Sequence, residues 1–165
     1  DLIMNINLLK HCCTCGVIAY KLLKEFGYPE DMCRKGYLLG YLHDCMKPFE
    51  VDELRNHGLL LSGLIDGEII ELIEKHEIML ESNENYPTLL IALKFADYTV
   101  NSKGEFVGFD GRLVDVEERY GLDTTTYRDT LHDITWLRSR GYDVFEKKFL
   151  EEIDVFYDTN YAHLN

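Results

Sequence analysis

The sequence predicts an all-α protein built as a single helical bundle. Three observations predict it. Apolar residues return at three- and four-residue spacing through most of the chain, strand character is confined to the EFVGF stretch at Glu105 to Phe109, and the breaks between periodic segments carry glycine, proline or polar turn residues.

The first helix is expected from Asn5 to Phe26, because Ile6, Leu9, Cys13, Val17, Ile18, Leu22, Leu23 and Phe26 follow the helical period and Gly27, Tyr28 and Pro29 stop it. Asp31 reads as the N-cap of a second helix from Met32 to Cys45, whose run GYLLGYLHDC is apolar enough for the centre of a core, with Lys47 and Pro48 ending it. A short helix is expected at Val51 to Arg55, followed by the apolar runs HGLLLSGLI from His57 and GEIIELIEKHEIM. Asn83 to Pro87 breaks the pattern, and Thr88 to Thr99 restores it with Leu89, Leu90, Leu93 and Ala96 on one side. The glycines at 104, 108 and 111 mark a loop from Asn101 to Gly111. Arg112 to Tyr120 then forms a short helix, ended by Gly121. Two closing helices follow, from Thr125 to Arg140 and from Tyr142 to Phe156, so residues 1–165 read as one domain with its core over about 5–121 and closing helices over about 125–156.

Length and composition agree with one compact domain. A 165-residue chain with 46% hydrophobic residues and three prolines has no signature of disorder. Thirty acidic against 17 basic residues give a net charge of -13, which disfavours a nonspecific grip on long nucleic acids or on an anionic membrane. An anionic substrate must therefore be held locally. No apolar run approaches the roughly 20 residues of a membrane span, and the opening DLIMNINLLK lacks the basic start and cleavage site of a signal peptide. A soluble cytoplasmic protein is the expectation. The five cysteines, three of them in CCTC, are odd in number and badly spaced for a disulfide framework or a zinc knuckle, so they read as helix-face thiols in a reducing compartment.

Chemistry concentrates in His11, the adjacent His43 and Asp44, His57, His76 and Asp97. Each alone has a plain structural reading: a core histidine, a cap, a solvated residue. Taken together they pose a charge problem. Asp44 and Asp97 lie in segments so apolar that an uncompensated carboxylate would cost several kcal/mol, and few lysines or arginines are near in sequence. A divalent cation supplies the compensation, and mixed imidazole and carboxylate donors suit Mn, Fe, Co, Ni or Zn better than Ca. Neighbouring residues on a helix point about 100° apart, but at a helix end both can turn to one ion.

The segments KHCCTCGVIAYKLLKEFG, GYLLGYLHDCMKP, NHGLLLSG, IIELIEKHE and LLIALKFADYTV carry histidine, His-Asp, histidine, histidine and aspartate in that order. In this the chain resembles the HD-domain metal-dependent phosphohydrolases from roughly Leu8 to Tyr120. The resemblance implies an HD-type helical bundle in which His11, His43, Asp44 and Asp97 hold a first ion. It also implies that Asp44 bridges to a second ion held by His57 and His76, or that these two serve substrate or proton transfer, so one or two ions per chain remain open. Lys47 corresponds to a lysine placed to contact a phosphate, with a helix-end cation as its plain reading. The resemblance also implies that Arg112 and Arg119 reach a substrate phosphate, while Arg112 equally reads as pairing across a helix turn with Asp115 or Glu118. His132 and His163 match nothing and read as surface residues, and the second dipeptide His132-Asp133 reads as chance.

The implied activity is attack of water on the phosphorus of a phosphomonoester, phosphodiester or nucleotide pyrophosphate, with Asp44 and Lys47 in the reaction. The acidic exterior points to a small phosphorylated substrate, a nucleotide, and not to long nucleic acid. Two rivals belong to other classes: a non-catalytic module of the same fold that binds a nucleotide or protein, and a purely structural bundle.

Overall fold

The computed structural model describes residues 2–45 and 66–161, and side chains over 6–45 and 66–153. The class is all-α. Among the described residues seven helices follow in order: α1 (Leu2–Glu25), α2 (Glu30–Leu42), α3 (Gly67–Lys75), α4 (Thr88–Asp97), α5 (Gly108–Tyr120), α6 (Thr125–Ser139) and α7 (Asp143–Tyr161). The expected helix at Val51 to Arg55, the run from His57, and the terminal residues with His163 lie outside the described residues.

Helices α1 and α2 form an antiparallel hairpin. Gly27 turns the chain with φ 77°, and the bonds from Gly27 N–H to Lys24 O (2.9 Å) and from Tyr28 N–H to Leu23 O (3.1 Å) close a Schellman motif on the end of α1. Asp31 is not the N-cap. Pro29, extended at φ -65° and ψ 160°, takes that place, so α2 begins earlier than expected, with Glu30 and Asp31 in its first turn where they favour the positive helix end. The hairpin is tight because Gly40 faces α1: a methyl group there would lie 2.7 Å from the Cys15 carbonyl and from the Gly16 nitrogen. That contact sets the spacing between the residues of α1 and the end of α2.

Helix α4 is the centre of the protein. Every residue from Leu89 to Ala96 is buried, and α1, α2 and α3 all pack on it. Each large apolar side chain buried there contributes about 1.5–3 kcal/mol. Lys94, at 1% exposure, is the exception to the apolar rule, and it is fully paired: its ammonium donates to the Asp133 carboxylate (2.7 Å) and to Ile78 O (2.6 Å). Asp133 also accepts from Leu80 N–H (2.8 Å) and the Tyr98 hydroxyl (2.9 Å). Its neighbour His132 donates from Nε2 to Leu80 O (2.8 Å). The His132-Asp133 dipeptide therefore ties the segment after α3 to α4 and α6. His132 is exposed, as expected, but Asp133 is buried at 1%, which the polar sequence around it did not announce.

The loop after α4 is shorter than expected. Its strand character amounts to one isolated bridge, Val100 to Phe106, and α5 starts at Gly108 instead of Arg112. Glycines 108 and 111 read as breakers in sequence, but Phe109 is driven fully into the core and its N–H is accepted by the Glu146 carboxylate of α7 at 2.6 Å. That distant acceptor satisfies a helix-start donor for which the N-cap, Val107, has no side-chain acceptor.

Candidate metal centre

Residues from four helix segments meet in one place. His11 and Cys15 lie one turn apart on the same face of α1. His43 is the C-cap of α2 with Asp44 in the turn behind it, His76 is the C-cap of α3, and Asp97 is the last residue of α4. Three helix C-termini thus converge, and their negative ends favour a cation between them.

The ring orientations are set by backbone carbonyls. Nδ1 of His11 lies 3.0 Å from Asn101 O, Nδ1 of His43 lies 2.6 Å from Gly40 O, and Nδ1 of His76 contacts Ile73 O. A carbonyl only accepts, so each Nδ1 carries a proton and each ring turns Nε2 to the interior of the cluster. Carboxylates stand opposite. His11 Nε2 lies 3.2 Å and His43 Nε2 3.8 Å from the same oxygen of Asp97, while Asp44 stands 3.6 Å from His43 Nε2 with one oxygen and 3.6 Å from His76 Nε2 with the other. Lone pairs facing lone pairs repel unless a proton or a cation sits between them. His43 Nε2, fully buried, has no hydrogen-bond partner among the described residues.

Loop 101–106 supports this face of α1. Asn101 Oδ1 accepts the N–H groups of Lys103 and Glu105 (3.0 and 2.9 Å), which folds the turn, and Gly104 O accepts the Thr14 hydroxyl at 2.7 Å. The turn can lie this close because Gly104, at φ 82°, has no side chain; a methyl group would meet the Lys10 backbone at 2.6 Å. Asn101 is thereby held where its carbonyl orients His11.

Arg112 of α5 closes the cluster on the Asp97 side. Its guanidinium lies 3.3 Å from Asp97 and 2.8 Å from Asp115, which also accepts the Ser102 hydroxyl at 2.6 Å. Burial disfavours the Arg112 charge, and Asp97 and Asp115 more than restore it. For Asp97 burial alone would raise the carboxyl, but the close approach of the His11 and His43 rings and the charge of Arg112 hold it well below the usual carboxylate range. On the other side, burial, then Asp44 and Cys45, push the Cys12 thiol up to about 12.

Of the residues singled out in sequence, His11, His43, Asp44, His76, Asp97 and Arg112 are brought together. Lys47 and His57 lie outside the described residues. One participant was missed. The four residues whose ligand atoms all lie within 4.8 Å of one another are His11, Cys15, His43 and Asp97, a buried group that could hold a metal ion, with Asp44 beside it between His43 and His76. The signal for Cys15 was the four-residue step from His11, which also fits a core thiol. Arg119, by contrast, is an exposed neighbour of Asp115 at 3.7 Å.

The chain matches no family model, no curated protein and no solved structure.

Proposed function

We propose that the chain is a metal-dependent phosphohydrolase with an HD-type fold, acting on a small phosphate ester or nucleotide. One observation carries the reading: three imidazoles, each with Nδ1 committed to a backbone carbonyl, aim Nε2 at the two aspartates. Metal-ligating histidines are oriented in this way, with the second ring nitrogen donating to a carbonyl. The donor set fits a divalent Mn, Fe, Co, Ni or Zn ion held by His11, His43, Asp44 and Asp97. Such an ion, when bound, supplies Lewis acidity toward phosphoryl oxygens and lowers the pKa of water to near neutral.

The chain's own groups complete the chemistry. Asp44 reaches toward both His43 and His76, so it can receive a proton and hand it to the His76 imidazole, or share with His76 the second ion at which the family resemblance also puts His57. Arg112, which pairs with Asp97 and Asp115, and Lys47 are the two residues that the family resemblance puts at a substrate phosphate. The net charge of -13 repels polynucleotides and suits a small anion drawn to a locally positive site. Five free thiols fit a reducing cytoplasm, and among the described residues no helix is long and apolar enough to cross a membrane.

Metal analysis of the purified protein, followed by a panel of phosphomonoesters, phosphodiesters and nucleotide polyphosphates with Mn, Fe, Co, Ni and Zn, tests the reading. We expect at least one ion per chain and metal-dependent turnover that His43→Ala and Asp97→Ala abolish while the helical circular dichroism persists. Failure to bind any ion overturns the proposal. Binding without turnover on any substrate overturns the catalytic part and leaves the non-catalytic module.

A further inference from the structure

We propose that Cys15 is a thiolate ligand of this centre, which makes the resident ion one that sulfur favours, zinc or cobalt(II) ahead of manganese or magnesium. This rests on the reading of the cluster as a metal centre. Zn–N bonds of about 2.0–2.1 Å and Zn–S bonds of about 2.3 Å place the ligand atoms of a tetrahedral ion roughly 3.3–3.6 Å apart. Here His11 Nε2 lies 3.5 Å from Cys15 Sγ and 3.2 Å from Asp97, and His43 Nε2 lies 3.8 Å from Asp97. Those spacings bracket the expected edges, and all four ligand atoms fall within 4.8 Å of one another.

Other buried thiols do not share this position. Cys33 donates to Tyr28 O at 3.5 Å, at the far end of the hairpin, and Cys12 is not one of the four. Among the described residues Cys15 is the thiol that meets an imidazole nitrogen, and the close approach of Gly40 holds its backbone there. On metal binding the S–H bond breaks, the proton leaves to solvent, and the sulfur lone pair forms the bond to the ion. A sulfur ligand selects against hard ions. Water would enter such a site by expansion of the coordination shell, which catalytic zinc sites allow.

Cobalt(II) titration of the metal-free protein distinguishes the outcomes. The wild-type and Cys13→Ser proteins should show visible ligand-field bands together with a near-ultraviolet sulfur-to-cobalt charge-transfer band. Cys15→Ser should keep the first, lose the second, and shift the preference among ions toward manganese. Ligand-field bands with no charge transfer in the wild type overturn Cys15 ligation and leave the metal centre standing, whereas no cobalt binding at all overturns both. X-ray absorption of the zinc-loaded wild-type protein needs no variant: one sulfur at about 2.3 Å is expected, and a shell of nitrogen and oxygen only sinks the proposal.

Discussion

His43 and His76 make the same contact twice. Each caps the C-terminus of its helix, each turns Nδ1 back to the carbonyl three residues earlier, and their rings meet edge to face at 5.3 Å with Asp44 3.6 Å from both Nε2 atoms. The rings add a donor to carbonyls at the helix ends, and doing so turns two Nε2 atoms toward one carboxylate.

A cation bound at this place would be linked to folding. Chelation should lower the thermal midpoint of the purified protein, and zinc or cobalt at a hundred times its dissociation constant should restore about 2.7 kcal/mol. His43→Ala and Asp97→Ala should remove that response in a thermal-shift titration. An unchanged response in both variants rules out these ligands.

Arg112 neutralises Asp97 and Asp115 from a position 12% exposed. Removing one partner of a fully buried pair costs about 3–5 kcal/mol, and partial exposure brings the figure for Arg112→Met to about 2–3 kcal/mol in the metal-free protein. With metal bound, Asp97 has another cation, so urea unfolding should show a smaller loss. An equal loss in both states would mean that Arg112 and the ion act on different groups.

The acid limb of stability should carry Asp97. Its folded pKa is depressed, so its contribution is fully present above its unfolded value of about 3.9 and is lost as pH falls toward the folded value. Unfolding free energy of the chelator-treated protein should therefore rise with pH through this range. Asp97→Asn should flatten the rise, and an identical pH slope in the variant contradicts the assignment.

Gly40→Ala places a methyl group 2.7 Å from the Cys15 backbone and must push α1 from α2. Overpacking of this kind costs about 1–3 kcal/mol. Because His11 and Cys15 ride on α1 and His43 on α2, cobalt affinity should fall by at least tenfold in the same variant. Destabilisation with unaltered affinity would show that the hairpin spacing does not set the site.

Lys94→Met leaves the Asp133 carboxylate buried without its cation and should cost about 3–5 kcal/mol by urea unfolding. Lys94→Met combined with Asp133→Leu should recover part of that loss. A double variant no better than the single would point to the Leu80 and Tyr98 hydrogen bonds as the main contribution of Asp133.

Much of this protein was legible one residue at a time. The helical period of α1, α2 and α4 is a local property, and so is the stop at Gly27, Tyr28 and Pro29. The burial of Asp97 among apolar residues announced a need for positive charge before any contact was known. Other features depended on partners far along the chain. The start of α5 at Gly108 was decided by Glu146, 37 residues on from the Phe109 N–H that it accepts, and the burial of Asp133 by Lys94 and Leu80. Cys15 is the sharpest case. A thiol four residues after a histidine on an apolar helix serves equally as core or ligand, and only the packing of α1 against α2 and α4 brings His43 and Asp97 to it. Periodicity records which face of a helix is buried; what that face meets is a long-range contact, and only the tertiary structure decides it.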